Sequence, residues 1–403
     1  MADPFFHHRP TAASMTADLS HTLLAQLVAL NSVNPAYGGP GEADVAGFVR
    51  EQLSAAGIEV VAQPVEPGRE NVIGVLPGRD RSRRVVLEAH MDTVGVEGMT
   101  IAPFEPTIRD GRLSGRGSCD TKGGLAAMLA AVLDLAARGE PPACDVWLAA
   151  VVDEEHAYRG VLALVDGLAA AGGTTAAAIV AEPTSLRIVS ATKGVLRFRI
   201  HLAGKAAHSS KPWLGVSAIS AAADVVQALD RLHGELTAGQ AHPLLGPATG
   251  SIGLIRGGVQ VNIVAEACEL DVDRRLLPGE DPEAVLAEYG RVVQATATAR
   301  GVTASLKTLL LDETLETPLD ADVVTTAATV SRQLGLPSDA IGVPYGSDAS
   351  KLSRRAGVPS IVFGPGSIDR AHAADESVPL AEVAAATAFI REFLLRFGSA
   401  VVA

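Results

Sequence analysis

His90 and Asp92, which follow the apolar segment VVL at positions 85–87, have side chains suited to a metal site at the end of a strand. That segment predicts a buried strand, and residues two apart on a strand point to the same face. An imidazole nitrogen can bind a cation, and a carboxylate can accept a hydrogen bond from the other ring nitrogen and fix the tautomer. We therefore predict that His90 is a ligand and that Asp92 is its supporting partner.

A second acid, Asp120, ends the glycine-rich sequence GRGSCD and precedes a predicted helix from Leu125 to Ala137. A turn that leads into a helix is a common position for a polar site. The glycine-rich sequence could also indicate a phosphate cradle. However, it lacks the Gly-Lys-Ser/Thr order of a P-loop, and Asp120 would repel phosphate unless a cation lay between them.

Three further apolar segments repeat the pattern of a strand that ends in polar chemistry. The first ends in Glu154 and Glu155, the second ends in Glu182, and the third leads to His372. In open α/β sheets, ligands bind at the carboxyl ends of the strands. We therefore expect these side chains to form one site with His90 and Asp120.

The candidate ligands comprise two imidazoles and three carboxylates, namely His90, Asp120, Glu155, Glu182 and His372. This set suits two divalent ions that share a bridging carboxylate. The nitrogen ligands favour Zn²⁺, although Co²⁺ or Mn²⁺ could occupy the same ligands. None of the three cysteines has metal-ligand spacing, and the residues alone do not assign individual ligands to individual ions.

The elements that must position these residues change character along the chain. Predicted strands and helices alternate up to Glu182, which indicates an α/β domain whose mostly parallel sheet is covered by helices on both faces. Near Thr192 the apolar residues begin to alternate with charged ones, which is typical of antiparallel strands. The order there is βαββαβ, a two-layer ferredoxin-like insert in which one strand is predicted from Val261 to Arg275. The α/β pattern resumes at Ala321, so we predict a domain formed by residues 1–191 and 312–403 and split by an insert of residues 192–311.

With these motifs in view, the sequence resembles the M20 family of metallopeptidases and amidohydrolases. That family includes acetylornithine deacetylase, succinyl-diaminopimelate desuccinylase, aminoacylase and glutamate carboxypeptidase. The similar segments occur in family order and are AHMDTV, GRGSCDTKGG, VVDEE, AEPTSL, KAAHSSKPWLGVSAI, VNIVAEACELDVDRRLLPGE, YGSDAS and FGPGSIDRAHAADESV. The segments AEPTSLRIVSATKG and FGPGSIDRAHAADE look most like acetylornithine deacetylase.

The resemblance implies how the ligands are shared between two ions. One ion would take His90, Glu182 and the bridging Asp120, and the other would take Asp120, Glu155 and His372. Glu154 would be the general base that activates the bridging water. Adjacent residues of a strand point apart, which would separate Glu154 from the ligand Glu155, although only the family pattern says which of the two is the base.

The resemblance also implies substrate-binding and catalytic residues in and after the insert. Arg275 would bind a substrate carboxylate through its guanidinium fork. Asn262, Ser347 and Asp348 match positions that line the family's substrate site. His208, in the segment AHSS, would stabilise the oxyanion. The insert would act as a lid and dimerisation domain, so that the chain forms a homodimer in which His208 serves the partner subunit's metal site.

These features predict a metal-dependent amidohydrolase that cleaves the amide bond of N-acyl amino acids. Glu182, where the family's aminopeptidases have aspartate, favours deacylases and carboxypeptidases. The segment around Tyr345 departs from acetylornithine deacetylase, so a carboxypeptidase or dipeptidase is the alternative within the family. A metal-bound protein that binds ligands without hydrolysis is a more remote alternative, since a binder has no use for an acid at Glu154.

Composition narrows the class of protein further. A chain of 403 residues is long enough for two domains, and its net charge of −13 argues against nucleic acid or an anionic membrane as a partner. The three cysteines are too few for a disulfide framework. We see no signal peptide at the start and no apolar segment long enough to cross a membrane, so we expect a cytoplasmic protein.

Overall fold

A computed structural model describes residues 12–398, with side chains from residue 16 onward, so the segment judged to lack a signal peptide lies outside the described residues. The chain divides into two compact units. Within the described residues, the first unit comprises positions 12–190, Thr317–Ile341 and positions 347–398. The inserted unit comprises Ala191–Glu316 and Gly342–Gly346.

The chain contains nine helices and eighteen strands within the described residues. The elements before the insertion are α1 (Ala12–Ala29), α2 (Ala43–Ala55), β1 (Glu59–Glu66), β2 (Arg69–Leu76), β3 (Asp80–His90), β4 (Thr107–Arg109), β5 (Arg112–Ser114), α3 (Lys122–Arg138), β6 (Cys144–Val151), α4 (Arg159–Ala171) and β7 (Thr174–Val180). They are followed by β8 (Val189–Thr192), β9 (Gly194–Ala203), α5 (Ala218–Ala238), β10 (Ala241–His242), β11 (Gly246–Pro247), β12 (Thr249–Gly257), β13 (Ala267–Leu276), α6 (Pro282–Ala299), β14 (Thr303–Asp312) and β15 (Leu315–Glu316). The last elements are α7 (Asp322–Gln333), β16 (Ile341–Val343), α8 (Ala349–Ala356), β17 (Ser360–Val362), β18 (Ser377–Pro379) and α9 (Leu380–Arg396).

The main sheet of the first unit has the order β1-β2-β6-β3-β7-β17. The pairs β6/β3, β3/β7 and β7/β17 are parallel, whereas β1/β2 and β2/β6 are antiparallel. A separate small antiparallel sheet joins β18, β5 and β4. The carboxyl ends of β6, β3, β7 and β17 therefore meet at one edge of the main sheet.

Strand β3 shows how both faces of this sheet are covered. Val85, Leu87 and Ala89 lie in a buried cluster with residues of α1, α3 and α9. The alternate residues Glu88 and His90 are also buried but point to the opposite face, because successive strand residues alternate. Helices α4 and α8 contact β6, β7 and β17 outside that cluster. Helices thus cover both faces of a mainly parallel sheet, and the predicted fold class is confirmed.

The inserted unit contains a four-stranded sheet in the order β12-β13-β9-β14, and every neighbouring pair is antiparallel. Along the chain the order is β9, α5, β12, β13, α6 and β14, which is the βαββαβ arrangement. Cys268, Leu270 and Val272 of β13 are buried in a core shared with α5 and α6. The alternate residues of β13 are less buried, so one face of the sheet carries the two helices.

One predicted strand in the inserted unit begins too early. The strand predicted from Val261 starts only at Ala267, and Val261 is fully exposed. The intervening backbone turns, since the N–H of Ile263 donates to the carbonyl of Gln260 at 3.2 Å. Apolar residues in this segment resemble a strand in the sequence, but local turn bonds replace the ladder there.

Among the described residues, no helix is both long and apolar enough to cross a membrane.

Candidate metal centre

The five predicted metal ligands lie at, or beyond, the carboxyl ends of strands in the first unit. His90 is the last residue of β3, and Glu182 follows closely after β7. Glu155 lies in the turn after β6, Asp120 precedes α3, and His372 lies between β17 and β18. Because β3 is parallel to both β6 and β7, the carboxyl ends of these three strands lie at one edge of the sheet, and His90, Glu155 and Glu182 lie there with them.

Asp120 lies between the two histidines. Its Oδ1 atom is 3.1 Å from Nε2 of His90, and its Oδ2 atom is 3.3 Å from Nε2 of His372. The same nitrogen of His372 is 3.1 Å from Oε1 of Glu155. Each oxygen of Asp120 therefore faces a different imidazole, which is the arrangement that a carboxylate bridging two cations requires.

Two overlapping groups of ligand atoms occur in this cluster. Potential ligand atoms of His90, Asp120 and Glu155 lie within 4.8 Å of one another. Potential ligand atoms of His90, Glu154 and Glu182 also lie within 4.8 Å of one another. Glu154 is thus as close to the cluster as the predicted ligands, so distance alone does not separate a base from a ligand.

Several buried carboxyl groups lie close together in the cluster, and bound cations would balance their negative charge. Burial raises the pKa of Glu154 to about 8 and raises the pKa of Glu182 well above its usual range. Hydrogen bonds with Asp120 and then Glu155 raise the pKa of His372 to about 10. Protons are therefore retained where several carboxyl groups crowd together away from water. Divalent cations would supply the same positive charge, and the mixed nitrogen and oxygen donors fit them.

Close packing brings the start of α3 to the end of β7. A Cβ atom on Gly124 would lie 2.6 Å from the Cβ of Ala181, so only glycine allows this approach. The preceding turn is held by Glu376, whose carboxylate accepts hydrogen bonds from the backbone N–H groups of Cys119 and Asp120 at 2.9 and 3.1 Å. Arg116 pairs with the same carboxylate at 2.5 Å. Glu376 was not predicted from the sequence, because no local pattern connects it with Asp120.

Asp92 supports the site by a different contact from the one expected. The Nδ1 atom of His90 lies 3.0 Å from the backbone carbonyl of Asp92 but 3.6 Å from its carboxylate. The backbone oxygen is thus the nearer acceptor for the ring proton. The carboxylate instead accepts hydrogen bonds from the backbone N–H groups of Glu154 and Glu155, each at 3.1 Å. Although burial raises the pKa of Asp92, the nearby charge of His90 and the hydrogen bonds that the carboxylate accepts outweigh that effect and lower the pKa.

The sequence predicted that strand alternation would direct the side chains of Glu154 and Glu155 apart, but the structure shows a different cause. Strand β6 ends at Val151, so strand alternation does not apply to these two residues. Asp153 adopts a left-handed conformation with φ of 70°, which is uncommon for a residue other than glycine. Asp153 leads into a turn at positions 154–157, in which the N–H groups of Ala157 and Tyr158 donate to the carbonyl of Asp153, and this turn directs the two glutamates.

Glu88 and Asp348 form a further pair of buried carboxyl groups, of which only Asp348 was identified from the sequence. Glu88 precedes His90 by two residues on the same face of β3, and Asp348 lies at the start of α8. Burial raises the pKa of both carboxyl groups well above the usual range, with a further contribution from the charge of Asp348 at Glu88 and from the charge of Glu154 at Asp348. The period of two on β3 would have indicated Glu88. The neighbouring Ser347 is fully buried, and its carbonyl accepts a hydrogen bond from the ammonium of Lys351 at 3.2 Å.

His208 and Asn262 lie side by side in the inserted unit. Residue 208 forms an isolated bridge with Ile263, and the N–H of Ser209 donates to the carbonyl of Asn262 at 3.0 Å. Both His208 and Asn262 are exposed. Nδ1 of His208 accepts a hydrogen bond from the backbone N–H of Ser210 at 3.1 Å. A neutral His208 must therefore carry its proton on Nε2, which leaves that atom as an exposed donor.

Arg275 lies on β13 of the inserted unit and is partly exposed. Its Nε atom donates to Oδ1 of Asp273 at 2.8 Å, and Arg197 on β9 donates to the other oxygen of Asp273 at the same distance. The adjacent Arg274 is instead fully buried and pairs with Glu280 at 2.5 Å. Two neighbouring arginines thus have different environments, and only Arg275 is accessible to a substrate.

Comparison with known sequences gives consistent matches. The sequence matches the family described as Peptidase family M20/M25/M40 over residues 86–396. A probable carboxypeptidase of Aspergillus terreus is 34% identical over 362 residues, which cover 83% of this chain and 78% of that protein. The acetylornithine deacetylase of Myxococcus xanthus is 31% identical over 371 residues, which cover 88% of this chain and 89% of that protein. The names of similar proteins therefore divide between a carboxypeptidase and a deacetylase.

Comparison with solved structures supports the fold. The aminopeptidase PepT of Bacillus cereus has a TM-score of 0.80 and 23% identity, with 95% of this chain and 99% of that chain covered. The YXEP protein of Bacillus subtilis, described as a dinuclear metal-binding peptidase of the M20 family, has a TM-score of 0.73 and 17% identity. That similarity covers 94% of this chain and 98% of the other.

Proposed function

Because the chain belongs to Peptidase family M20/M25/M40, we propose that it is a hydrolase that uses two divalent metal ions to cleave the amide bond of N-acyl amino acids. The observation that carries this proposal is Asp120, whose two oxygens face two different histidines within a buried group of carboxyl side chains. The acetylornithine deacetylase of M. xanthus supports a deacylase, whereas the probable carboxypeptidase of A. terreus supports peptide cleavage by the same site.

In this proposal each ion has three protein ligands. One ion is held by His90, Glu182 and Asp120, and the other is held by Asp120, Glu155 and His372. Zinc suits these nitrogen and oxygen donors best, with Co²⁺ and Mn²⁺ as alternatives. When bound, such ions lower the pKa of a water molecule and polarise the amide carbonyl.

Glu154 then performs the proton transfers. Its carboxylate accepts a proton from the water whose oxygen attacks the carbonyl carbon, and it later donates that proton to the amine nitrogen as the C–N bond breaks. Burial holds the pKa of Glu154 near 8 in the absence of cations. The positive charge of bound ions would lower this value, which favours the carboxylate form that a base needs.

The proposal also assigns substrate contacts to residues named from the sequence. Arg275 binds the free carboxylate of the amino acid with its guanidinium group. Asn262 and Ser347 are proposed as further polar contacts to the substrate. His208 donates a hydrogen bond from Nε2 to the oxyanion, and its bond with Ser210 holds the tautomer that can do so.

We further propose that the chain forms a homodimer through the inserted unit and that His208 acts on the partner subunit's substrate. Large apolar side chains of this unit are exposed, namely Trp213, Leu214, Leu254, Ile255, Val259 and Val261. Contiguous exposed apolar patches commonly mark an interface between proteins, and these side chains are the candidates for such a patch. Val261 precedes Asn262 directly, and the Asn262 backbone pairs with the His208 segment, so the apolar surface borders the proposed oxyanion donor.

A substrate panel tests the proposal. The purified protein would be stripped of metal, reconstituted with Zn²⁺, Co²⁺ or Mn²⁺, and assayed on N-acetyl and N-succinyl amino acids, dipeptides and longer peptides. Metal-dependent turnover that is fastest on N-acyl amino acids supports the deacylase. Preference for peptides would favour the carboxypeptidase or dipeptidase alternative, and tight ligand binding without turnover by the metal-loaded protein would defeat hydrolysis.

A further inference from the structure

The loop between α1 and α2, residues 30–42, contacts the turn that carries the proposed base and ligand. We propose that this loop, through the carboxamide of Asn34, positions Glu154 and Glu155 for metal binding and proton transfer. The inference rests on the proposed function of these two glutamates. Asn34 is a positioning residue in this scheme, because it acts through Asp92 and Asp153 and touches neither ion nor substrate.

Asn34 is fully buried and uses both ends of its side chain. Its Nδ2 atom donates to Oδ2 of Asp92 at 2.7 Å and to Oδ1 of Asp153 at 2.9 Å. Its Oδ1 atom accepts a hydrogen bond from the N–H of Ala36 at 2.9 Å. Since a backbone N–H can only donate, the Ala36 contact fixes which end of the amide is oxygen. The NH₂ group must then face the two carboxylates.

Asp92 and Asp153 connect Asn34 with Glu154 and Glu155. The carboxylate of Asp92 that accepts a hydrogen bond from Asn34 also accepts hydrogen bonds from the backbone N–H groups of Glu154 and Glu155, each at 3.1 Å. Asp153, the second acceptor, precedes Glu154 and has the left-handed backbone that forms the turn. Asn34 thus binds the two acids that define the direction of the turn.

Two other residues of the same loop make independent contacts with this turn. The hydroxyl of Tyr37 donates to the backbone carbonyl of Glu155 at 2.6 Å. The carboxylate of Glu42 accepts the N–H of Asp153 at 3.2 Å and pairs with Arg69, which also bonds to Asp153 at 3.1 Å. Contacts at Asp153 and Glu155 from three positions of one loop indicate a positioning role for the loop as a whole.

The chemistry of this position explains why asparagine suits it. Asp92 and Asp153 are both buried, and a neutral NH₂ group donates one hydrogen bond to each without adding charge. Aspartate at position 34 would have the same shape but would direct an oxygen, and a third negative charge, at two carboxylates. Partners behind metal ligands typically change metal affinity by about 10- to 100-fold when they are removed.

The test uses the full-length protein and compares Asn34→Asp with the matched variant Asn31→Asp. Asn31 lies in the same loop, and its Oδ1 atom accepts the N–H of Val33 at 3.1 Å, a bond that aspartate retains. Zinc affinity is measured by competition with a chromophoric chelator, and kcat and KM are measured separately. We expect Asn34→Asp to weaken zinc binding by about 10- to 100-fold and to lower kcat with little change in KM, whereas Asn31→Asp should resemble the wild type.

A complementary substitution separates positioning from a general loss of structure. In the double variant N34D/D153N, the amide at position 153 can donate to the carboxylate at position 34, so zinc affinity should recover toward that of Asp153→Asn alone. If Asn34→Asp does not fold, Asn34→Ala, which adds no charge, is measured in the same way. Wild-type zinc affinity and kcat in a folded Asn34 variant would overturn the inference, as would equal losses in the Asn31 variant. The chelator measurement needs no turnover, so it decides the role of Asn34 even if the wild type hydrolyses no amide and the proposed function fails.

Discussion

The candidate catalytic side chains of the first unit and those of the inserted unit are held in opposite ways. In the first unit, Asp120 contacts two histidines, and the turn of Glu154 and Glu155 is bonded to Asp92. In the inserted unit, His208 and Asn262 are exposed. The segments that carry these two residues pair with each other, and His208 also accepts a hydrogen bond from the nearby Ser210. Apart from the half-exposed His372, the first set is held in place by burial and hydrogen bonds, whereas the second set is available for a substrate or another subunit.

This difference separates two kinds of effect. Removal of a buried charge leaves its partners without compensation, which is strongly destabilising and should change metal content. Removal of an exposed donor leaves the fold intact and should change only the rate or substrate affinity. Substitutions of both kinds test this distinction, and the largest effect is expected at Asp120.

Asp120→Ala should abolish metal binding and reduce turnover to background. Its carboxylate faces both histidines, so a single substitution removes a ligand from both proposed ions. Metal analysis of the purified variant, together with its circular dichroism spectrum, checks the result. Two metal equivalents per chain in a folded Asp120→Ala variant would rule out the bridging role.

Glu154→Ala should retain two ions and lose turnover by about 10²- to 10⁴-fold, the usual contribution of a general base. The measurement is metal content beside kcat, with Glu154→Gln as the variant that keeps the side-chain shape. Because Glu154 lies within 4.8 Å of His90 and Glu182 ligand atoms, loss of one ion would instead identify it as a ligand. A near-normal rate in the metal-loaded variant would refute the base assignment.

The contrast between local and distant contacts also explains how much the sequence could predict. The period of two on β3 and the acids after three apolar segments predicted the strands of the parallel sheet and the candidate ligands beside them. Glu376 bonds to Asp120 across 256 positions, and no local pattern connects the two residues. Asn34 lies in a loop without periodicity, so its bonds to Asp92 and Asp153 appear only after the chain has folded.

Local turn chemistry caused the other differences. The segment from Val261 to Glu266 is rich in strand-forming residues, yet turn bonds and the pairing with the His208 segment replace the ladder. After β6, the left-handed backbone of Asp153 directs Glu154 and Glu155, whereas the sequence suggested strand alternation. The apolar pattern determines which segment forms a strand, but the residues at which the strand begins and ends depend on hydrogen-bond partners from elsewhere in the fold.

His208→Ala should lower kcat by about 10²- to 10³-fold, as expected for the loss of an oxyanion donor, and should leave metal content unchanged. His201→Ala is the matched control, because His201 is also an exposed histidine of the inserted unit. Sedimentation or light scattering would establish the subunit number. A strictly monomeric, fully active protein would contradict the proposed homodimer.

Mixing the inactive variants decides which subunit His208 serves. If it acts on the partner subunit, exchange between Glu154→Ala and His208→Ala dimers should restore about a quarter of wild-type activity. Half of the dimers are then mixed, and each mixed dimer has one intact site of two. If His208 acts within its own subunit, every site lacks one group, so verified exchange without recovery would defeat the proposal.

Arg275→Ala should have the smallest effect, a rise in KM of about 10-fold for substrates with a free carboxylate, since one charge-assisted contact is lost. Esters or amides of the same substrates lack that negative charge and should be affected little. Arg197→Ala is a close control, because Arg197 and Arg275 each donate to one oxygen of Asp273 at 2.8 Å. Both variants free one oxygen of Asp273, so only a loss specific to Arg275 and to charged substrates reports carboxylate recognition. Equal losses on charged and neutral substrates would assign Arg275 to the support of β13 instead.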